Sequence, residues 1–189
     1  MTTDDSLRAD ARANRDRLID VARRALAADP AASLHSIARA AGVGQGTLYR
    51  HFPTREALLL AVYHQDVEAL VALAPALLAA HPPLDAFHLW CERFAQYGRW
   101  KQGISAMLHS AMSDKDFDTT YWPMVDAVRQ LLVAGQDAGA IQPGFDGEDV
   151  LRLLAPVMQL PATPEGEARS GRLLALIFRG LQADVTGAG

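Results

Sequence analysis

Three aspartates at alternate positions, Asp114, Asp116 and Asp118, come nearest in spacing to a cation-binding loop. Carboxylates so placed suit a hard cation. The run nevertheless lacks the glycine and the terminal glutamate that bend and close an EF-hand loop, so it reads as a solvated acidic turn. The six histidines are scattered, none in an HExxH run or a paired array, which gives zinc no ligand set to start from. Cys91 is the single cysteine, excluding an internal disulfide and a cysteine-only zinc site. Neither a phosphate-cradling P-loop nor a GxSxG nucleophile elbow occurs. The expectation is a protein that is not an enzyme and has no metal or cofactor.

The residues that do form a functional pattern lie in SLHSIARAAGVGQGTLYRHFPTREALL, residues 33–59. Gly42 reads as the turn between two short helices. Ala38, four residues earlier, sits where two helices must cross closely and only a small side chain fits. Ile37, Ala41, Val43 and Leu48 supply apolar contacts that lock the two helices together. A short buried seam that holds a second helix out from the body is the logic of a helix-turn-helix, whose second helix enters the DNA major groove.

The elements that position this segment are helical throughout. No stretch alternates apolar and polar residues with β-branched enrichment, so the fold class is all-α. Leu18, Val21, Ala22, Ala25 and Leu26 give residues 7–28 an apolar stripe at helical spacing, closed by Asp29-Pro30. On the same helix Arg8, Arg12 and Arg15 share a face that is either solvated or close to phosphate. Ser33 reads as the N-cap of a helix over 34–41, and a third helix covers 45–51. Thr54 caps a long fourth helix with Glu56 in its first turn, continuing past a kink at Pro75. Beyond His81-Pro82-Pro83 an aromatic-rich helix is expected, then a separate short helix from Gly103 to about Met112. Asp114–Asp118 reads as a loop, with Thr119 or Thr120 capping a helix to Ala138. Helices over about 148–159 and 167–183 complete a count of about nine.

Charge is unevenly distributed. Residues 1–56 hold nine arginines against seven acids, whereas residues 57–189 hold nine cations against fifteen acids. A mildly basic head on an acidic body suits one DNA-binding face on a chain whose net charge is −4. The N-terminus has no apolar core of a signal peptide, and the longest apolar run, Ala69–Ala80, is short for a bilayer span, so a cytoplasmic protein without membrane contact is expected.

The run G-x-x-x-GTLYRHF-x-x-R-E-A-L, Gly42 to Leu58, resembles the signature of the TetR family of one-component regulators. The likeness covers roughly residues 10–62. It implies an N-terminal three-helix DNA-binding head, residues 1–53, and a C-terminal helical ligand-binding and dimerisation bundle, residues 54–189. By position it also implies that Gln45, Thr47 and Arg50 approach base edges from the recognition helix. His35 is implied to reach bases from the second helix. Ser33, Tyr49, His51 and Arg55 are implied to contact or approach phosphates. Arg55 stands where many members carry lysine, and Gly44 replaces the commoner serine cap.

The body carries two further patterns. Trp90, Phe94, Met107, Met112 and Trp122 each read as core residues taken singly. Together they read as the lining of an apolar pocket, with Tyr97 and His109 as polar anchors for an unknown small-molecule effector. Leu151, Leu154 and Met158 mark one apolar face, and Leu173, Leu174, Ile177, Phe178 and Leu181 another. The resemblance implies that these form a four-helix homodimer interface. The resulting expectation is a repressor that binds a palindromic double-stranded operator and is released by an apolar effector. A head that has lost DNA binding is the alternative, opposed by Tyr49, Arg50 and Arg55.

Overall fold

The computed structural model describes the backbone of residues 3–183 and the side chains of residues 12–183. Eight α-helices follow one another: α1 (Thr3–Ala28), α2 (Leu34–Ala40), α3 (Gln45–His51), α4 (Arg55–Ala80), α5 (Pro83–Ala111), α6 (Asp114–Asp137), α7 (Gly147–Leu154) and α8 (Pro164–Leu181). A 3-10 segment, Ala155–Gln159, links α7 to α8. Among the described residues there is no strand, only an isolated antiparallel bridge between Ile141 and Gln182. The all-α class expected from the sequence is the one found.

The chain divides into two compact units. One contains the residues up to Gln65 together with Gly103–Ser113, and the other contains Asp66–Gln102 together with the residues from Asp114 onward. In the first unit Leu18, Ile19, Ala22 and Leu26 of α1 are buried at helical spacing, with Ile37, Ala38, Leu48, Phe52, Leu58, Leu59 and Val62. Ile104 and Leu108 from the end of α5 are buried as well. Arg15 places its guanidinium 5.3 Å from the centroid of the Phe52 ring, a cation–π position. The side chain of Arg8 lies outside the described residues.

In the second unit Phe87, Trp90, Cys91 and Phe94 of α5 are fully buried, with Val125, Val128, Leu131 and Leu132 of α6. Trp90 stacks on Phe94 at 5.1 Å and donates its indole N–H to Leu70 O at 2.9 Å, so its polar atom is satisfied. Phe87 meets Phe178 of α8 edge to face at 5.2 Å. The 3-10 segment lies directly on α5. A Cβ on Gly98 would stand 2.3 Å from Met158 Cβ, and Gln102 Nε2 donates to the carbonyls of Met158 and Leu160, each at 3.2 Å.

Several helix boundaries differ from the sequence expectation: the helix expected over 148–159 ends at Leu154 with the 3-10 segment beyond it, the last helix begins at Pro164 rather than 167, and two more differences change the elements themselves. Gly103 does not open a new helix, because α5 runs unbroken from Pro83 to Ala111. A glycine inside a helix costs about 1 kcal/mol and need not end it. Here its missing side chain admits Pro30, whose Cγ would lie 3.3 Å from a Cβ. Asp114–Asp118 is likewise helix and not loop. Asp114 and Asp116 occupy the first turn of α6, where the helix dipole favours acids. Thr119 and Thr120 therefore cap nothing. Their hydroxyls donate back to the carbonyls of Lys115, Asp116 and Phe117 at 2.8–3.1 Å, satisfying them inside the helix. Pro75 lies within α4, which continues to Ala80. That helix has the length and apolarity of a membrane span, but half the stretch is buried inside the protein and Asp66 and Glu68 lie along it.

Candidate nucleic-acid interface

The helix-turn-helix is built from short-range signals. Ser33 caps α2, its hydroxyl accepting from the Ser36 amide at 3.1 Å. Gly42 ends it with φ +67°, a left-handed conformation that glycine adopts without penalty. The Val43 amide bonds back to Ala38 O at 3.0 Å, which turns the chain sharply into α3. Ile37, Ala38 and Leu48 form the seam, each almost wholly buried. Gly44 caps α3 without a side-chain bond, as its residue type requires. Thr54 Oγ1 accepts from the Ala57 amide at 3.1 Å and starts α4.

With Leu48 turned inward, α3 presents Gln45, Gly46, Tyr49 and Arg50 to solvent. These positions recur at i, i+1, i+4 and i+5 and so make one face. Tyr49 is 47 % exposed, large for an aromatic ring on a protein surface. Thr47 and His51 are half-buried at the margins of that face, and His51 leans on Phe52 with 6.2 Å between ring centres. His35, exposed on α2, meets this face directly: the Gln45 amide nitrogen contacts His35 Nδ1. The structure therefore brings His35, Gln45, Tyr49 and Arg50 to one exposed surface. It carries amide, hydroxyl, imidazole and guanidinium groups, the types that hydrogen-bond base edges and phosphates.

Ser33 and Arg55 are placed differently. The Ser33 hydroxyl is occupied as a cap. Arg55 turns its guanidinium onto the loop before α2, donating to the carbonyls of Pro30, Ala31 and Ala32. It ties the start of α4 to the entry of α2, a bond pattern that residue type alone does not reveal. The sequence reading also passed over Gly46. A Cβ there would meet nothing within 4 Å, so the protein's own packing does not require glycine. Its absence of side chain leaves the α3 backbone open to close approach from outside.

The expected pocket residues are distributed over both units. Trp90, Phe94 and Tyr97 are buried in the second unit. Met107 and Met112 are half-buried and His109 exposed in the first. Trp122 is 49 % exposed, because α6 buries Thr120, Met124, Val125 and Val128 and leaves Trp122 on the opposite stripe with Asp118 and Asp126. Trp122 and His109 thus face solvent, not an apolar lining. An open groove of about 480 Å³ runs between α5 and α8, lined by His88, Glu92, Gln96, Arg99, Glu167 and Ser170, so its walls are largely polar. His88 stacks on Phe178 with 3.4 Å between ring centres. Burial holds the His88 imidazole below its ordinary pKa, against the opposing pull of Asp85 and Glu92.

The expected dimer residues are mostly the inward ones. Leu151, Leu154, Leu174, Phe178 and Leu181 are buried within the chain's own second unit, and Met158, Leu173 and Ile177 are half-buried. The apolar groups that α7 and α8 leave to solvent are Leu153, 55 % exposed, and Leu176, 59 % exposed. Both faces of α8 carry leucine, with Leu174 inward and Leu176 outward. Beside this hairpin, Tyr121 donates to Glu148 Oε1 at 3.0 Å and Arg152 donates to the same oxygen at 2.6 Å. The Arg152 bond, then the Tyr121 bond, holds the Glu148 carboxyl below its usual range. Among the described residues no cluster of His, Cys, Asp or Glu is arranged to hold a metal ion.

This geometry defines a helix-turn-helix protein with a helical body. Residues 18–62 match the bacterial regulatory protein tetR family model, and residues 82–183 match the SbtR-like transcriptional regulator C-terminal domain. The chain belongs to the TetR family of DNA-binding transcriptional regulators. A TetR transcriptional regulator of Streptomyces coelicolor is 34 % identical and superposes with a TM-score of 0.79 over 90 % of this chain and 99 % of its own. A TetR regulatory protein of Mycobacterium vanbaalenii is 31 % identical, with a TM-score of 0.75 over 94 % of this chain and 99 % of its own. An uncharacterized HTH-type transcriptional regulator of Mycobacterium tuberculosis is 44 % identical over 57 residues, which are 29 % of this chain and only 28 % of that relative's length.

Proposed function

We propose that this chain is a cytoplasmic, homodimeric repressor that binds a near-palindromic operator and is released by a small apolar molecule. The observation that carries the proposal is the exposed α3 face, with Gln45, Tyr49 and Arg50 held out by the buried Ile37–Ala38–Leu48 seam. Two such helices related by a dimer axis suit half-sites about one helical turn apart, roughly 34–36 Å. Leu153 and Leu176 on the outward side of α7 and α8 supply an apolar centre for that dimer. The buried aromatics of α5 supply the apolar surroundings an effector needs. Release requires that the effector prefer the conformation unfit for DNA, since equal affinity for both states shifts nothing. The continuous helix α4, which belongs to both units, is the element suited to carry the change.

Fluorescence anisotropy with the DNA flanking the protein's own gene, across a salt series and against scrambled duplex, tests the reading. The expected result is palindrome-dependent binding whose affinity falls steeply with salt. Equal weak binding to both duplexes, together with no enriched sequence from a random DNA pool, removes sequence-specific recognition from the proposal.

A further inference from the structure

We propose that His35 is a positioning residue for base recognition, fixing the carboxamide of Gln45 in the one orientation that reads adenine. The inference rests on the DNA-binding reading above. His35 is the second residue of α2 and Gln45 the first residue of α3, and the left-handed turn at Gly42 brings them together across ten residues of chain. Both side chains are exposed, and the Gln45 amide nitrogen meets His35 Nδ1.

A glutamine on the first turn of a recognition helix has two problems. It is free to rotate, and its carboxamide presents donor and acceptor in either order after a half-turn of the last torsion. Only one order matches the acceptor N7 and donor N6 of adenine in the major groove. A ring nitrogen that accepts selects between the two, because it binds the –NH₂ end and offers nothing to the oxygen end. Nδ1 accepts in the tautomer whose ring proton sits on Nε2. The amide has two hydrogens. Donating the one that points away from Oε1 leaves the other beside Oε1, and those two atoms form the adenine-reading edge. His35 thus acts through Gln45 and has no need to touch the base itself.

The test is selection from a random DNA pool by the full chain, in wild-type, His35→Ala, Gln45→Ala and doubly substituted forms. Affinity for a scrambled duplex and helical content are measured beside it. The wild type is expected to select adenine at one position of each half-site, and Gln45→Ala to lose that preference. His35→Ala is expected to lose it about tenfold at the same position only, leaving other positions and scrambled-duplex affinity unchanged. The double variant is expected to lose no more than Gln45→Ala. Retained adenine preference in His35→Ala, a change at another position, or an even drop across all sequences overturns the proposal. If His35→Ala loses helicity, His35→Phe, a ring of similar breadth with no acceptor, takes its place with the same expected loss. A wild type that selects no sequence overturns the regulator reading itself, a result separate from a consensus that ignores His35.

Discussion

Replacing Gly98 by alanine places a methyl carbon where the 3-10 segment already lies. The added Cβ would stand 2.3 Å from Met158 Cβ and 2.4 Å from Met158 Cα. Carbon atoms in contact rest at about 3.5–4.0 Å, so the segment must withdraw by more than an ångström. The obstruction is backbone, so no side-chain rotation relieves it. Overpacking of this kind costs about 1–3 kcal/mol. Withdrawal also strains the two bonds from Gln102 to the carbonyls of Met158 and Leu160, worth about 1 kcal/mol each. Alanine returns about 1 kcal/mol of helix propensity. The net expectation is a loss of about 2–4 kcal/mol, and a fall in Tm of about 5–15 °C for a chain this size. Thermal unfolding followed by circular dichroism at matched protein concentration reads it directly. Gly171→Ala on α8 is the control. It is the same chemical change with nothing within 4 Å of the added carbon, and should leave Tm unchanged or raise it. If Gly98→Ala melts with the wild type, or the two variants shift alike, the close crossing of α5 and the 3-10 segment is not what glycine serves there.

Two further outcomes follow from single contacts. Arg55→Gln removes the charged fork that reaches three carbonyls, so stability should fall by about 1–2 kcal/mol while the salt dependence of DNA binding stays the same. Unchanged Tm with a salt slope reduced by about one would place Arg55 on a phosphate instead. Burial lowers the His88 pKa, so the unfolded chain takes up its proton at a higher pH than the folded chain does. Its contribution is present above the unfolded pKa and is lost as pH falls through the folded one. Between about pH 7 and about pH 5 the decline of Tm should therefore be shallower in His88→Gln than in wild type, and parallel curves would contradict the assignment.

What the sequence disclosed and what it withheld divide along the range of the interactions concerned. The helix-turn-helix was legible because Ser33, Ala38, Gly42 and Leu48 act within a few residues of one another, and each has a residue type with few other uses. The burial of Trp90 and Phe94 followed from residue type, since large aromatics in a helical segment read as core. The continuity of α5 through Gly103 was hidden because a glycine that admits Pro30 looks the same as a glycine that ends a helix. Thr119 and Thr120 were hidden likewise, since a hydroxyl that bonds backward inside a helix has the same sequence as one that caps it. Arg55 and phosphate are natural partners by type. Only the fold shows that three loop carbonyls reach it across more than twenty residues of chain. In α8 the apolar residues occupy so many positions that periodicity could not separate the buried Leu174 and Phe178 from the exposed Leu176.

The discontinuity of the first unit bears on how the protein is made. The helix-turn-helix is complete in the chain by His51, yet the unit that contains it also takes Gly103–Ser113, where Ile104 and Leu108 are buried. A growing chain therefore finishes its DNA-facing half only after more than one hundred residues have been synthesised. The other half cannot close around Phe87 until Phe178 has been made. The first half has all its residues once Ser113 is made, well before the last helix. The two halves thus become complete in order, the DNA-facing one first, and a fragment cut directly after the helix-turn-helix lacks part of its own core.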